Sequence, residues 1–263
     1  MRSTLRYALI VAISVATPEP SLAGDDSVRT GKLRLTSTIG EIAGVDPART
    51  VENVISPDEP VTWNVFVPES YEPRRPAGLI VYISPSPSGE MPRGWRHVLE
   101  NGNLIWIAAE ESGNQTLPAR RALYALVAPM LAGKTYEIDP ERIYLAGLSG
   151  GGKMAGMVAA DYPHLFKGAI YNCGIDSLEN HPTSQMDLFE RNHYVFLSGT
   201  RDQALQETKR VHKEYLKSGV ENSKLIVVPN MGHRNPDSSR FALAIRYLDS
   251  RSTREVSTTP PDK

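Results

Sequence analysis

The stretch Tyr144-Leu-Ala-Gly-Leu-Ser-Gly-Gly-Gly-Lys-Met-Ala-Gly156 decides how this chain is read. Gly147, Gly152 and Lys153 have the G-x-x-x-x-G-K spacing of a loop that cradles phosphates. Gly147, Ser149 and Gly151 have the G-x-S-x-G spacing of a turn that presents a nucleophilic serine. Both motifs need a strand that runs through a tight turn into a helix. The apolar run Arg142 to Ala146 and the helical pattern from Gly150 to Ala160 supply that context for either. Chemistry separates them. A phosphate loop follows its lysine with a hydroxyl that ligates Mg²⁺, whereas Met154 offers a thioether, a poor ligand for a hard cation. A dinucleotide fingerprint from Gly150, Gly152 and Gly156 has the wrong final spacing.

A serine hydroxyl is a weak nucleophile unless a base takes its proton, and the base needs a carboxylate to fix its tautomer and orientation. In elbows of this kind the acid and then the histidine follow the serine, each in a loop past the carboxyl end of a strand. After the apolar run Tyr194 to Leu197 comes Ser-Gly-Thr-Arg-Asp202, and after Leu225 to Val228 comes Pro-Asn-Met-Gly-His233. The predicted triad is therefore Ser149, Asp202 and His233. Taken singly, His233 reads as a surface-loop histidine and Asp202 as a cap for the helix that follows it. Asp176, after the preceding strand, is the alternative acid.

The rest of the pattern fits that site. Lys32 to Ile39 and Val61 to Val67 alternate polar with apolar residues, as half-exposed antiparallel strands do. Leu79–Ile83, Leu104–Ala108, Arg142–Ala146, Ala169–Tyr171, Tyr194–Leu197 and Leu225–Val228 are near-continuous apolar runs, which suit parallel strands buried on both faces. Helical patterns fall at Pro118–Ala132, Gly150–Ala160, Ala204–Ser218 and Ser238–Ser250. The predicted class is α/β, with antiparallel N-terminal strands leading into a mostly parallel, doubly wound sheet that has helices on both faces. Gly174–Asn192 is long enough for a small cap over a site, and residues 251–263 read as a flexible tail.

Composition narrows the function. With 263 residues, 40% hydrophobic and 22% charged, the chain can bury a sizeable core, and residues 24–250 read as one domain. A formal charge of −1 provides no basic field for nucleic acid. Arg2 and Arg6, the apolar run Tyr7–Ala16 and the small residues Ser21-Leu22-Ala23 form the three parts of a signal peptide, so residues 1–23 are expected to be removed on export to the periplasm or medium. The apolar run is shorter than the roughly 20 residues of a membrane span, so no stable anchor is expected after cleavage. Cys173 is the one cysteine and reads as a buried small residue. His97, His164, His181, His193 and His212 lack metal-ligand spacing, and neither a metal nor a cofactor is called for. Asn114-Gln-Thr116 is an N-glycosylation sequon with meaning only in a eukaryotic host. Nothing in the sequence sets the oligomeric state.

On Arg142–Gly152, Asp161-Tyr-Pro-His-Leu-Phe-Lys-Gly, Ser198–Asp202 and Pro229–His233, residues of about 60 to 248 resemble an α/β-hydrolase. The chain is most similar to secreted esterases of the polyhydroxyalkanoate depolymerase and feruloyl esterase type. The resemblance implies an ester substrate, small or polymer-linked, an acyl-enzyme on Ser149 and an oxyanion hole with one donor from the Gly150 N–H. Relatives with peptidase activity carry a large additional N-terminal domain. The second oxyanion donor should come from the loop after Leu79–Ile83. Many relatives have His-Gly there, whereas this chain has Ser84-Pro85-Ser86-Pro87-Ser88-Gly89. Two prolines have no N–H to give. By position Ser86 is the expected donor, with Ser84 the alternative, and Trp95 either lines a substrate subsite or packs in the core. The same set on a non-catalytic binding scaffold is the reading from a different class.

Overall fold

The alternating segments pair as expected. Gly31–Thr38 (β1) and Pro60–Val67 (β2) form an antiparallel ladder running from Gly31 opposite Val67 to Thr38 opposite Pro60. The structure is a computed structural model that describes residues 28–43 and 54–255, so the expected signal peptide and residues 256–263 lie outside it. Six further strands complete one sheet: Ala77–Ile83 (β3), Leu104–Ala109 (β4), Ile138–Leu148 (β5), Gly168–Asn172 (β6), His193–Gly199 (β7) and Ser223–Val228 (β8). Their spatial order is β1-β2-β4-β3-β5-β6-β7-β8. The β2–β4 pair is also antiparallel, and every pair from β4–β3 to β7–β8 is parallel. Strands β3, β4, β6 and β7 are buried along their whole length, which is why their sequences do not alternate.

Helices cover both faces. On one side Pro118–Gly133 (α3), Gly150–Asp161 (α4) and Leu205–Lys217 (α6) pack over Leu79, Val81, Ile83 and Leu145. On the other, Arg96–Gly102 (α2) and Ser238–Glu255 (α7) pack over Ile80, Tyr82, Tyr144 and Ala146. Adjacent strand residues thus feed opposite cores, as the pleat requires. Two further helices, Ile39–Ala43 (α1) and Met186–Arg191 (α5), were not expected, nor was α2. At five to seven residues these three are too short to impose a helical period on the sequence. The segment 174–192 folds into turns and α5. Helix α7 runs on to Glu255, into the first residues of the segment read as a tail. Among the described residues no helix is long and apolar enough to cross a membrane.

Candidate active site

The carboxyl ends of β5, β7 and β8 deliver the three predicted residues to one edge of the sheet. Ser149 joins β5 to α4 with φ 57° and ψ −122°, a conformation that costs a non-glycine residue about 1–3 kcal/mol. The surroundings hold it there. Its N–H donates to the Asn172 carbonyl at the end of β6 (2.8 Å). The flanking glycines let backbone approach backbone: a Cβ at position 151 would lie 1.9 Å from the Ile83 oxygen, and one at 147 would lie 2.3 Å from the Gly151 carbonyl carbon. Side chains at either position would push the turn off β3 or open it.

Asp202 lies in the loop between β7 and α6, its side chain fully buried. The Ser198 hydroxyl donates to its Oδ2 (2.6 Å), while Oδ1 accepts from the Ala204 N–H (3.1 Å) and pairs with His233 Nδ1 (2.8 Å). One carboxylate oxygen therefore serves both as the turn cap ahead of α6 and as the partner of the histidine. Burial is the largest influence on this carboxyl and would raise its pKa. Hydrogen bonds from Cys173, Ser198, His233 and Ala204 together outweigh burial and hold it below the usual carboxylate range. The alternative acid, Asp176, pairs instead with Lys153 on α4 (2.7 Å). Lys153 is thus a surface residue, as expected once the phosphate-loop reading fails.

His233 turns one ring nitrogen to Asp202 and leaves its side chain 35% exposed. A half-buried network holds its loop: Asn172 Nδ2 donates to Asn235 Oδ1 (3.0 Å) and to the Arg234 carbonyl (3.3 Å), and the Tyr82 hydroxyl lies 3.1 Å from Asn235 Nδ2. Sequence reasoning missed Tyr82, Asn172 and Asn235 because no spacing links residues on β3, β6 and the β8 loop. Among the described residues the Ser149 hydroxyl has no hydrogen-bond partner, so the serine–histidine contact is open in this state. Such contacts often tighten only around a substrate.

Cys173 lies under the acid. It has φ 52°, is 1% exposed, and its thiol is pushed up to about 12, first by burial and then by its hydrogen bond to Asp202. Cys173, Asp202 and His233 bring a sulfur, a carboxylate oxygen and a ring nitrogen within 4.8 Å of one another. A metal there would need a thiolate that this setting disfavours, and it would displace the Asp202–His233 bond. The donor set suits a hydrogen-bond relay.

The oxyanion side departs from expectation. Gly150 opens α4, and the first N–H groups of a helix have no intrahelical acceptor. The Ser86 N–H, however, donates to Ser84 Oγ (3.0 Å), the local turn a serine makes with the backbone two residues on. Ser84–Gly89 is also zipped to the loop after β4. The Glu111 N–H donates to the Pro87 carbonyl (2.7 Å), and the Asn114 N–H donates to the Pro85 carbonyl (3.0 Å). Buried Arg121 of α3 clamps both loops, donating to the Ser84 carbonyl (2.9 Å) and the Ser112 carbonyl (2.8 Å). Gln115 and Thr116 line an open cavity of about 530 Å³ with Glu59, Glu111, Leu117 and Tyr124. Of the two readings of Trp95, the structure shows the core one: it is 1% exposed, stacked 3.7 Å from Phe241, with its indole N–H donated to the Pro236 carbonyl (3.1 Å). A flat apolar ring with one donor is satisfied there on both counts.

Comparison with known proteins bears on the fold. The family model described as the prolyl oligopeptidase family matches residues 124–204, from within α3 to the acid loop. No curated protein matches the sequence. Among solved structures, the chain is similar to an S-formylglutathione hydrolase from Staphylococcus aureus, with a TM-score of 0.58, 12% identity, and coverage of 84% of this chain and 99% of that one. It is similar to a ferulic acid esterase, with a TM-score of 0.57, 15% identity, and coverage of 86% and 99%. It is also similar to a Bacteroides ovatus protein assigned as a dipeptidyl aminopeptidase IV, with a TM-score of 0.54 and 17% identity over 83% of this chain; this chain spans 36% of that one. The chain has the α/β-hydrolase fold. The serine, histidine and aspartate that serine hydrolases require stand at the edge of the sheet where that fold carries its chemistry.

Proposed function

We propose that the protein is a serine hydrolase that cleaves carboxylic esters through an acyl-enzyme. The observation that carries this reading is the 2.8 Å pair between Asp202 and His233 beside a serine with positive φ at the head of α4. In this scheme His233 takes the Ser149 proton as the hydroxyl attacks the acyl carbonyl, then returns it to the departing alkoxide. Asp202 holds the ring and stabilises its cationic form, and water repeats the sequence to free the acid. Gly150 stabilises the tetrahedral oxyanion from the helix N-terminus.

Esters are preferred to peptides because the neighbours that this chain spans almost end to end carry the names ferulic acid esterase and S-formylglutathione hydrolase. The match to the prolyl oligopeptidase family supports the second reading, a peptidase with the same triad. The N-terminal pattern supports export, which requires mature protein from the periplasm or medium to begin at Gly24.

Nitrophenyl esters of increasing acyl length and aminoacyl nitroanilides, each assayed with wild type and Ser149→Ala, test these readings together. Ester turnover that is lost in the variant supports the proposal. Turnover of the anilides alone selects the peptidase. Equal rates in wild type and variant remove the mechanism.

A further inference from the structure

In the loop after β3, Pro85 and Pro87 have no N–H and the Ser86 N–H, the expected donor, is bonded to Ser84 Oγ, which leaves the Ser84 N–H as the backbone alternative. Gly150, whose N–H is the other donor, has its open side covered by one side chain. A Cβ built on Gly150 would meet the Asn114 carboxamide, at 2.3 Å from Oδ1, 2.9 Å from Cγ and 3.2 Å from Nδ2. Asn114 thus occupies the space that the side chain of the residue after the nucleophile would fill. It faces solvent, and among the described residues its carboxamide has no hydrogen-bond partner. Resting on the hydrolase reading above, we infer that the Asn114 side chain is the second oxyanion donor of this site, giving an N–H from Nδ2 to the tetrahedral oxygen beside the Gly150 N–H.

Three features suit it to that role. Rotation about the last side-chain bond exchanges the oxygen and the NH₂, so the donor can be turned toward the oxyanion at little cost. The supporting loop is preorganised. Thr116 N–H donates to the Gly113 carbonyl (3.0 Å), Thr116 Oγ1 donates to the Glu111 carbonyl (2.7 Å), and Arg121 donates to the Ser112 carbonyl (2.8 Å). The loop thus fixes the Asn114 backbone, and only the side-chain torsions remain to be set around the substrate. Finally, a side chain at position 150 would displace the carboxamide, which as the end of an exposed side chain can swing aside. The Asn-Gln-Thr sequence, read from sequence as a glycosylation site, thereby acquires a place in the chemistry.

The test measures kcat and KM of Asn114→Ala, Asn114→Asp and Gly150→Ala on a nitrophenyl ester that wild type hydrolyses, with thermal melts to confirm folding. Asn114→Ala should lose roughly 100- to 1,000-fold in kcat with KM within about twofold. Asn114→Asp has nearly the same shape but sets a negative charge beside the oxyanion, and it should lose at least as much. Gly150→Ala should also lose kcat, and the double variant Gly150→Ala/Asn114→Ala should lose far less than the product of the two single losses. A folded Asn114→Ala with unchanged kcat, or with an effect on KM alone, overturns the assignment. Because wild type is active in that assay, such a result leaves the triad reading standing. Wild type inactive on every ester and every anilide overturns that reading, and this inference with it.

Discussion

Asp202 illustrates how one side chain can satisfy two demands of the sequence. Its Oδ1 caps the turn into α6 through Ala204 and holds His233, while Ser198 occupies Oδ2. Asp202→Asn keeps the shape but presents an N–H where an acceptor is needed, so the histidine takes the wrong tautomer and kcat should fall by about 10⁴-fold. Stability follows the same group. Its native pKa is depressed, so its contribution is complete above the ordinary carboxylate pKa of about 3.9 and is lost as the pH falls through the lower native value. Urea denaturation should therefore show the largest deficit for Asp202→Asn near pH 7, shrinking below about pH 4; a deficit that grows in acid would contradict the depressed pKa. Cys173, beside it, is buried with its thiol raised to about 12. It should resist iodoacetamide in the native protein and react at once in denaturant, with mass spectrometry as the readout.

At the scale of elements, the clamp between the β3 and β4 loops has the clearest consequence. Arg121 is 5% exposed, burial lowers its pKa, and no carboxylate pairs with it among the described residues; its charge is met by the carbonyls of Ser84 and Ser112. Arg121→Met keeps much of the length and leaves both carbonyls without their donor, which should cost about 1–3 kcal/mol in chemical denaturation. It should also lower kcat, since both loops flank the elbow. A variant with lost stability and wild-type kcat would show that the clamp supports the fold alone. This is also where the sequence ran out. The six later strands were legible because strands buried on both faces leave near-continuous apolar runs, β1 and β2 because their residues alternate, and the elbow, acid and histidine candidates because each follows an apolar run. Asn114 and Arg121 were not legible, because their roles depend on two loops meeting across β3 and β4, and no local period records that meeting. Trp95 left two readings open for a related reason: it follows the oxyanion loop in sequence, and only the fold places it under the sheet against Phe241.

Across the whole molecule, the sheet separates two cores while the candidate site runs along its carboxyl edge, so stability and chemistry can be perturbed independently. The aromatic nest of Tyr171, Phe189, Tyr194, Phe196 and Tyr215 lies in the core beneath α6, with Phe189 4.6 Å from the Tyr194 ring and 5.6 Å from that of Tyr215. Phe189 is fully buried and belongs to α5, which contributes nothing to the elbow, acid or histidine loops. Phe189→Ala should therefore cost about 3–5 kcal/mol through lost burial and the cavity left behind. At temperatures where the variant stays folded, kcat should match wild type, because β6 and β7 still deliver their carboxyl ends in register from Gly168–His193 to Asn172–Leu197. The opposite core offers the contrast. The Trp95 indole N–H holds the Pro236 carbonyl, three residues past His233, so Trp95→Phe retains most of the stack on Phe241 but releases the histidine loop. Denaturation midpoints and kcat measured on both variants separate the two effects. Phe189→Ala should lose stability and keep kcat, and Trp95→Phe should lose kcat out of proportion to its smaller loss of stability. If both variants lost kcat in step with stability, the site would instead depend on the sheet as a whole.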